Sequence, residues 1–448
     1  MMEDQELAKS TSRQGMRSSI KMLSRNRNGM MRILGLGFAI CLGSLMIQPA
    51  IAQLPAGISA DDWPWWRGPG GMGAASTSFT YPEQWSETDR VKWRADLPGR
   101  SHGSPIVVGD AIYLTYCQED SGAQGIMALH RRDGKELWRK VIHASGSMSK
   151  NAKSSGASGS VACDGQRLFV NFANEGRVVL TALNLQGEIL WQQEVAAYQV
   201  HQGFGASPAI HDRLVYSIAD TKGGGAIVAV DRESGRIAWR RDRPSNPNYP
   251  SPIVLLVAGR QQLILTGLDQ VESLHPTTGE TLWKIEGSTT ECVTTTVTDG
   301  KRVYSSGGYP KNHLAAIEAD GSGKIAWETN DRVYVPSLLI RDGYLYGTLD
   351  AGIAACWDAA TGEEMWKGRL GGDISSSPVL VGHLIYATNE AGETFIYRAI
   401  PERFELLGKN SLGEEQFATP TFCRGQILMR VAYRDGQERR EQLVCIGD

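Results

Sequence analysis

AVDRESGRIAW, residues 229–239, is the stretch on which the fold turns. A short apolar run ends at Asp231, the chain crosses polar residues to Gly235, and it returns through Ile237 and Trp239. Glycine enters φ > 0 without steric cost, and Asp and Ser stabilise tight turns through side chain-to-backbone hydrogen bonds. The pattern therefore predicts a β-hairpin. Alternate residues of a strand share a face, so Trp239 stands at a set position beyond the turn.

The same pattern recurs as ALHRRDGKELW (128–138), ALNLQGEILW (182–191), SLHPTTGETLW (273–283), AIEADGSGKIAW (316–327) and CWDAATGEEMW (356–366). In all six copies the last Gly stands four residues before Trp: Gly134/Trp138, Gly187/Trp191, Gly235/Trp239, Gly279/Trp283, Gly323/Trp327 and Gly362/Trp366. A large aromatic placed once per repeat suits packing between adjacent sheets. A second element precedes the hairpins. Ser104-Pro105, Ser207-Pro208, Ser251-Pro252, Ser377-Pro378 and Thr419-Pro420 open apolar runs such as IVVGDAIYLT (106–115), AIHDRLVYSI (209–218) and VLVGHLIYAT (379–388). Each of these runs reads as two strands about a turn, so each unit has four strands. Successive Trp residues are 39 to 53 positions apart from Trp138 to Trp366. Four-stranded units at this period predict propeller blades. A lone blade buries too little apolar surface, whereas a closed ring covers both faces of every sheet.

Fourth-strand positions fall at Trp93, Trp138, Trp191, Trp239, Trp283, Trp327 and Trp366, with a degenerate eighth near Leu407. The last unit, about 416–446, has three strands, and VKWRADL (91–97) is a fourth strand without its first three. The N-terminal strand is expected to complete the C-terminal blade. The expected fold class is all-β: an eight-bladed β-propeller of four-stranded antiparallel blades over 91–448, closed by an N-terminal strand. A count of seven follows instead if the 373–412 unit is not a blade. Residues 53–90, rich in Trp, form an N-terminal segment expected to pack on the ring.

The 448 residues carry a net charge of −3, unevenly spread. Residues 1–32 hold seven basic and three acidic groups, leaving 39 basic and 46 acidic side chains in the rest. A body this acidic lacks the basic footprint of a nucleic-acid binder. After the basic stretch come the uncharged apolar run Ile33–Ile47 and the Ala50-Ile51-Ala52 site. That order predicts a secretory signal peptide over 1–52, cleaved after Ala52, with an uncleaved anchor as the alternative. Cys41 lies inside the apolar run, where it is not a lipidation cysteine. The chain is thus expected in the periplasm or cell envelope, without a transmembrane span after cleavage. The other cysteines, Cys117, Cys163, Cys292, Cys356, Cys423 and Cys445, are widely spaced. They read either as buried apolar side chains or as disulfide partners of an exported protein, with Cys423 and Cys445 the first pair to test.

The repeat A-L-D-x-x-[ST]-G-x-x-x-W resembles that of the PQQ-like, quinoprotein alcohol dehydrogenase-like β-propeller family, in the group that contains BamB. The resemblance covers about 91–448. The opening Asp62-Trp63-Pro64-Trp65-Trp66-Arg67-Gly68-Pro69 is similar to the start of exported propellers of this type. The family implies two functions. One is a non-catalytic scaffold of outer membrane assembly. The other is a PQQ-dependent dehydrogenase with a catalytic Asp, a calcium ion and a disulfide between adjacent cysteines. This chain has no Cys-Cys dipeptide, and no catalytic residue carries over to a matching position. The expected function is therefore an exported, non-catalytic scaffold, a monomer binding envelope proteins or peptides, with no cofactor. PQQ with calcium belongs to the alternative.

Other chemistry is not signalled. The eight His residues form no HExxH pair, and Gly223–Gly225 precedes a strand instead of a helix. The Ser-rich run SGSMSKNAKSSGASGS (145–160) reads as an inter-blade loop, solvated or ligand-binding. One constellation stands out. The segments just before the first strands carry His102, Lys153, His201, Tyr249, Glu291, Tyr334 and Asp373. First strands line a propeller's axis, so these residues are expected to ring one mouth of the channel and to bind a polar ligand or peptide. Asp269 and Asp350 read as turn residues.

Overall fold

A turn glycine facing an aromatic from the neighbouring unit builds the ring. The computed structural model describes residues 54–436 and 438–448. The predicted signal peptide lies outside the described residues. All six hairpin glycines take positive φ, from 66° at Gly323 to 86° at Gly187. The described residues contain no helix and form eight four-stranded antiparallel sheets. Blades 1 to 7 are consecutive meanders over residues 106–143, 162–197, 209–243, 253–286, 297–329, 339–369 and 379–411. Blade 8 takes Thr421–Cys423, Gln426–Asp435 and Glu438–Ile446 from the C-terminal end and Val91–Asp96 from the N-terminal end, with Trp93 opposite Cys445. The closing strand is therefore as expected, and the 373–412 unit is a blade, which makes eight.

In six of the eight blades the fourth-strand Trp reaches into the next blade's hairpin. The Trp93 indole donates to the Arg131 carbonyl at 3.0 Å, and a Cβ on Gly134 would stand 2.4 Å from the Trp93 ring. Trp138, Trp191, Trp239, Trp327 and Trp366 donate likewise to the carbonyls of Leu185, Arg232, Pro276, Ala359 and Ile400. Only glycine leaves room for an indole this close to a turn that also needs φ > 0. Trp283 departs from the pattern. Its indole donates to Gln262 Oε1 at 2.6 Å, and Gln262 Nε2 in turn donates to the Ala319 carbonyl of blade 5 at 2.8 Å. The blade 5 hairpin, AIEADGSGKIAW, is one residue longer than most of the others, and its Gly323 faces Ile285 instead. At blade 7 Trp366 meets Phe404, with ring centroids 5.5 Å apart, in place of a glycine.

A belt of hydroxyls runs around the axis at the start of the blades. The backbone N–H of Ser104 donates to Ser160 Oγ, Ser160 to Ser207 and Ser207 to Ser251, all at 2.9–3.0 Å. On the other side Thr295 donates to Ser337, Ser337 to Ser377 and Ser377 to Thr419 at the same range. Each link satisfies a buried N–H that has no strand partner, a group that is costly to leave unpaired.

The segment before the first strand threads the innermost strands of the ring. Buried Asp62 pairs with Arg424 at 2.9 Å and accepts from Gly109 N–H, joining blade 8 to blade 1. Trp63 bridges to Val107, the Pro64 carbonyl accepts from Cys163 N–H, and Ala74 bridges to Leu380. Arg67 donates to the carbonyls of Met72 and Leu338, and burial lowers its guanidinium to about 9. These contacts cap otherwise open strand edges.

All six described cysteines are free and buried. Cys423 and Cys445 share blade 8, but the strand Gln426–Asp435 lies between theirs. That is the correction to the disulfide option for this pair: interposed backbone keeps the thiols unbonded. Burial pushes both thiols up to about 12.

Candidate functional site

Each inter-blade loop ends on a belt hydroxyl, so the residues just before it point to a common axis. There they surround a cavity of about 580 Å³. His102, Lys153, Tyr249, Tyr334 and Asp373 line it, each from a different loop. His201 and Glu291 are not part of this lining but contact Tyr249 and Tyr334, which are. Trp66 lines this cavity and, with Ser251, also a second hollow of about 150 Å³. Trp66 is fixed there by donating to Thr295 Oγ1 at 2.9 Å.

The seven expected residues divide into three groups. The first is a cluster around Glu291, a side chain only 8% exposed. His201 Nδ1 lies 3.5 Å from Glu291 Oε1 and 3.0 Å from the Tyr249 hydroxyl. Tyr334 donates to Glu291 Oε2 at 3.4 Å. Burial raises the Glu291 carboxyl above its ordinary value, although His201, Tyr334 and Lys222 oppose the shift. Burial and the Glu291 charge both push the Tyr249 and Tyr334 phenols up, so they remain hydrogen-bond donors at neutral pH.

The second group is an ion-pair cluster. Lys153 Nζ lies 2.8 Å from Glu390 and 3.2 Å from Asp373, and Ser375 Oγ donates to Glu390 at 2.6 Å. Burial lowers the Lys153 ammonium, but its bonds to Glu390 and Asp373 outweigh this and the net shift is upward. The third is His102, stacked on Phe417 with centroids 4.4 Å apart. Burial, with the Arg100, Arg430 and Arg439 charges, holds His102 well below the ordinary imidazole range, so it is neutral.

Several wall residues escaped the sequence reading. Phe204 and Phe417 precede Ser207 and Thr419 by three and two residues and supply apolar wall. Arg332 lies 5.1 Å over the Tyr334 ring and 3.9 Å from Asp350. Asp350 is a structural acceptor: it takes the N–H groups of Tyr334 and Val335 at 3.0 and 3.2 Å. Burial nevertheless raises its carboxyl. Asp269 lines no wall of this cavity. The Ser-rich loop contributes Asn151, Lys153, Ser154, Ser158 and Ser160 to the wall. Aromatic faces, hydroxyls and paired charges are the lining of a recognition site for a partly polar ligand.

The chain resembles known proteins in two directions. A polyvinylalcohol dehydrogenase of Sphingopyxis sp. is 26% identical over 368 residues, which is 74% of this chain and 48% of the relative. The chain thus spans about half the length of that relative. The outer membrane protein assembly factor BamB of Burkholderia pseudomallei is 24% identical over 314 residues, covering 65% of this chain and 73% of the relative. Among solved structures, BamB from Moraxella catarrhalis superposes with a TM-score of 0.58 at 16% identity, over 79% of this chain and 98% of that one. The family model described as outer membrane protein assembly factor BamB matches residues 84–197 and 122–368. With more than half of its length matched, the chain belongs to the BamB family of PQQ-like propellers.

Proposed function

We propose that this chain is an exported, non-catalytic propeller of the cell envelope that binds protein or peptide partners at the mouth of its channel. One observation carries the reading. Seven different inter-blade loops bring His102, Lys153, Tyr249, Tyr334 and Asp373 to the wall of one cavity and His201 and Glu291 into contact with that wall. A rigid ring with its variable loops gathered at one mouth is suited to holding an extended segment of a partner. The kinship with assembly factors points the same way, as does the signal-like start of the sequence.

The dehydrogenase reading is favoured by one observation, the similarity to polyvinylalcohol dehydrogenase over 74% of this chain. The donors at the mouth do not fit its calcium. Among the described residues no three His, Cys, Asp or Glu side chains converge as metal ligands. Asp373 and Glu390 are engaged by Lys153, and Asp350 by backbone N–H groups. A calcium site takes six to eight oxygens, several of them carboxylate.

The test is capture of partners from the native envelope by the full chain and by its His201→Ala/Glu291→Ala double variant, with mass spectrometry of what is retained. The reading expects the double variant to lose specific partners. Unchanged capture counts against the mouth. Calcium-dependent dye reduction by purified protein supplied with quinone would instead establish the enzyme.

A further inference from the structure

The strongest unexplained feature at the mouth is the way Lys153 is held. It belongs to the loop joining blades 1 and 2, yet its ammonium is bonded to carboxylates that follow blade 6 and lie in blade 7. Residues 149–153 are exposed, whereas Ser155 is buried and Ser147 donates to the Gly122 carbonyl. Between these anchors the loop rests on few bonds. The N–H groups of Lys150 and Asn151 donate to the Gln202 carbonyl at 2.9 Å, Asn151 Nδ2 donates to Gln202 Oε1, Arg100 donates to the Ala152 carbonyl, and Met148, half-buried against the core, accepts from Gly176 N–H at 3.1 Å. Asn151, Lys153 and Ser154 line the cavity, so the loop covers part of its entrance.

We propose that residues 148–155 form an autoinhibitory strap, in which the Lys153 ammonium fills a carboxylate subsite that a partner's lysine or arginine side chain takes on displacing it. This rests on the mouth being the binding site. Charge identifies the incoming group. With Lys153 withdrawn, the wall keeps Asp350, Asp373 and Glu390 against the single cation Arg332. An anion gains nothing there, and a neutral group leaves the carboxylates without a counter-charge. The latch is also weak enough to open. The Lys153 and Asp373 side chains are 51% and 68% exposed and Glu390 18%; ion pairs with a solvent-exposed member contribute little and are screened by salt.

A thiol inside the cavity reads the strap without any partner. Gly205 lines the wall, has no positive φ, and its added Cβ would meet only Ser158 Cβ at 3.7 Å. The native cysteines of the described chain are buried and unreactive in comparison. Gly205→Cys is labelled with a small neutral methanethiosulfonate in the otherwise native full chain and in the Lys153→Met background. Removing Lys153 should speed labelling about fivefold, the equivalent of ~1 kcal/mol of lost latch. Raising NaCl should speed labelling only where Lys153 is present. Acetyl-Gly-Lys-Gly-amide should then protect the thiol in the Lys153→Met protein, and its norleucine analogue should not. Glu390→Gln should show the same acceleration without lysine protection, and matching unfolding midpoints exclude general loosening.

Equal labelling rates with and without Lys153 at all salt concentrations overturn the strap. Acceleration with no lysine-specific protection overturns the ligand chemistry. Failure of the mouth as binding site is separately visible, as partner capture indifferent to His201→Ala/Glu291→Ala.

Discussion

Gly235→Ala tests the interlock that spaces the blades. Gly235 has φ +72°, and its added Cβ would stand 2.7 Å from Trp191 Cγ, 2.8 Å from Cδ2 and 3.1 Å from Cβ. Two costs arise. An L side chain in the left-handed region costs about 1–2 kcal/mol, and overpacking against a fixed ring adds about 1–3 kcal/mol. The sum is about 2–5 kcal/mol. Gly259→Ala separates the terms, because Gly259 has φ +75° and nothing within 4 Å of an added Cβ. It should lose only the backbone share, about 1–2 kcal/mol. Urea unfolding with both midpoint and slope measured gives the comparison. In a Trp191→Ala background, Gly235→Ala should fall to the Gly259→Ala value. If the two glycine variants are equally destabilised in the native background, the indole is not what demands glycine, and the account of blade spacing fails.

Ser337→Ala removes the acceptor of the buried Thr295 N–H and should cost about 1–3 kcal/mol in the same urea assay. Burial holds the His313 imidazole at about 4, below its ordinary 6.5. The unfolded chain therefore takes a proton that the folded one refuses. Stability from this group is fully present above pH 6.5 and is lost as pH falls toward 4, and His313→Gln should flatten that window by on the order of 3 kcal/mol in pH-dependent unfolding. Protein beginning after residue 52 should show six thiols to Ellman's reagent in denaturant without reductant, and almost none when native. A count of four would mean that a disulfide has formed.

The blades were legible because the hairpin constraint is local: a turn glycine and a return-strand Trp four residues later declare themselves in any one copy. Where the interlock changes partner, the signal fades. Trp283 keeps the spacing, but the longer turn after Ala319 sends its indole to Gln262, which nothing in the repeat marks. Blade 7 has Leu406 and Leu407 exposed where a Trp is expected, and its neighbouring aromatic, Trp85, comes from the N-terminal segment, bonded through Asn410. Ser160, Thr295 and Ser337 belong to the belt, yet none is followed by proline, so the Ser-Pro signature passes over them.

The mouth was partly legible for a topological reason. Residues preceding a first strand reach the axis whatever their identity, so position alone selects His102, Tyr249, Tyr334 and Asp373. Side-chain pairing was not legible. That Lys153 spans to Glu390, and that Glu291 draws in His201 and Tyr334, depends on loop paths between distant blades. Trp66 was invisible as a wall residue because its segment threads the ring instead of repeating within it.

Backbone hydrogen exchange on the full chain, free and with its captured envelope partner, addresses the binding mouth most directly. Slowed exchange should concentrate in residues 198–208, 287–296 and 370–378, the loops carrying His201, Glu291 and Asp373. Protection confined to outer strands such as Glu136–His143 and Ile189–Ala197, with the mouth loops unchanged, would contradict it.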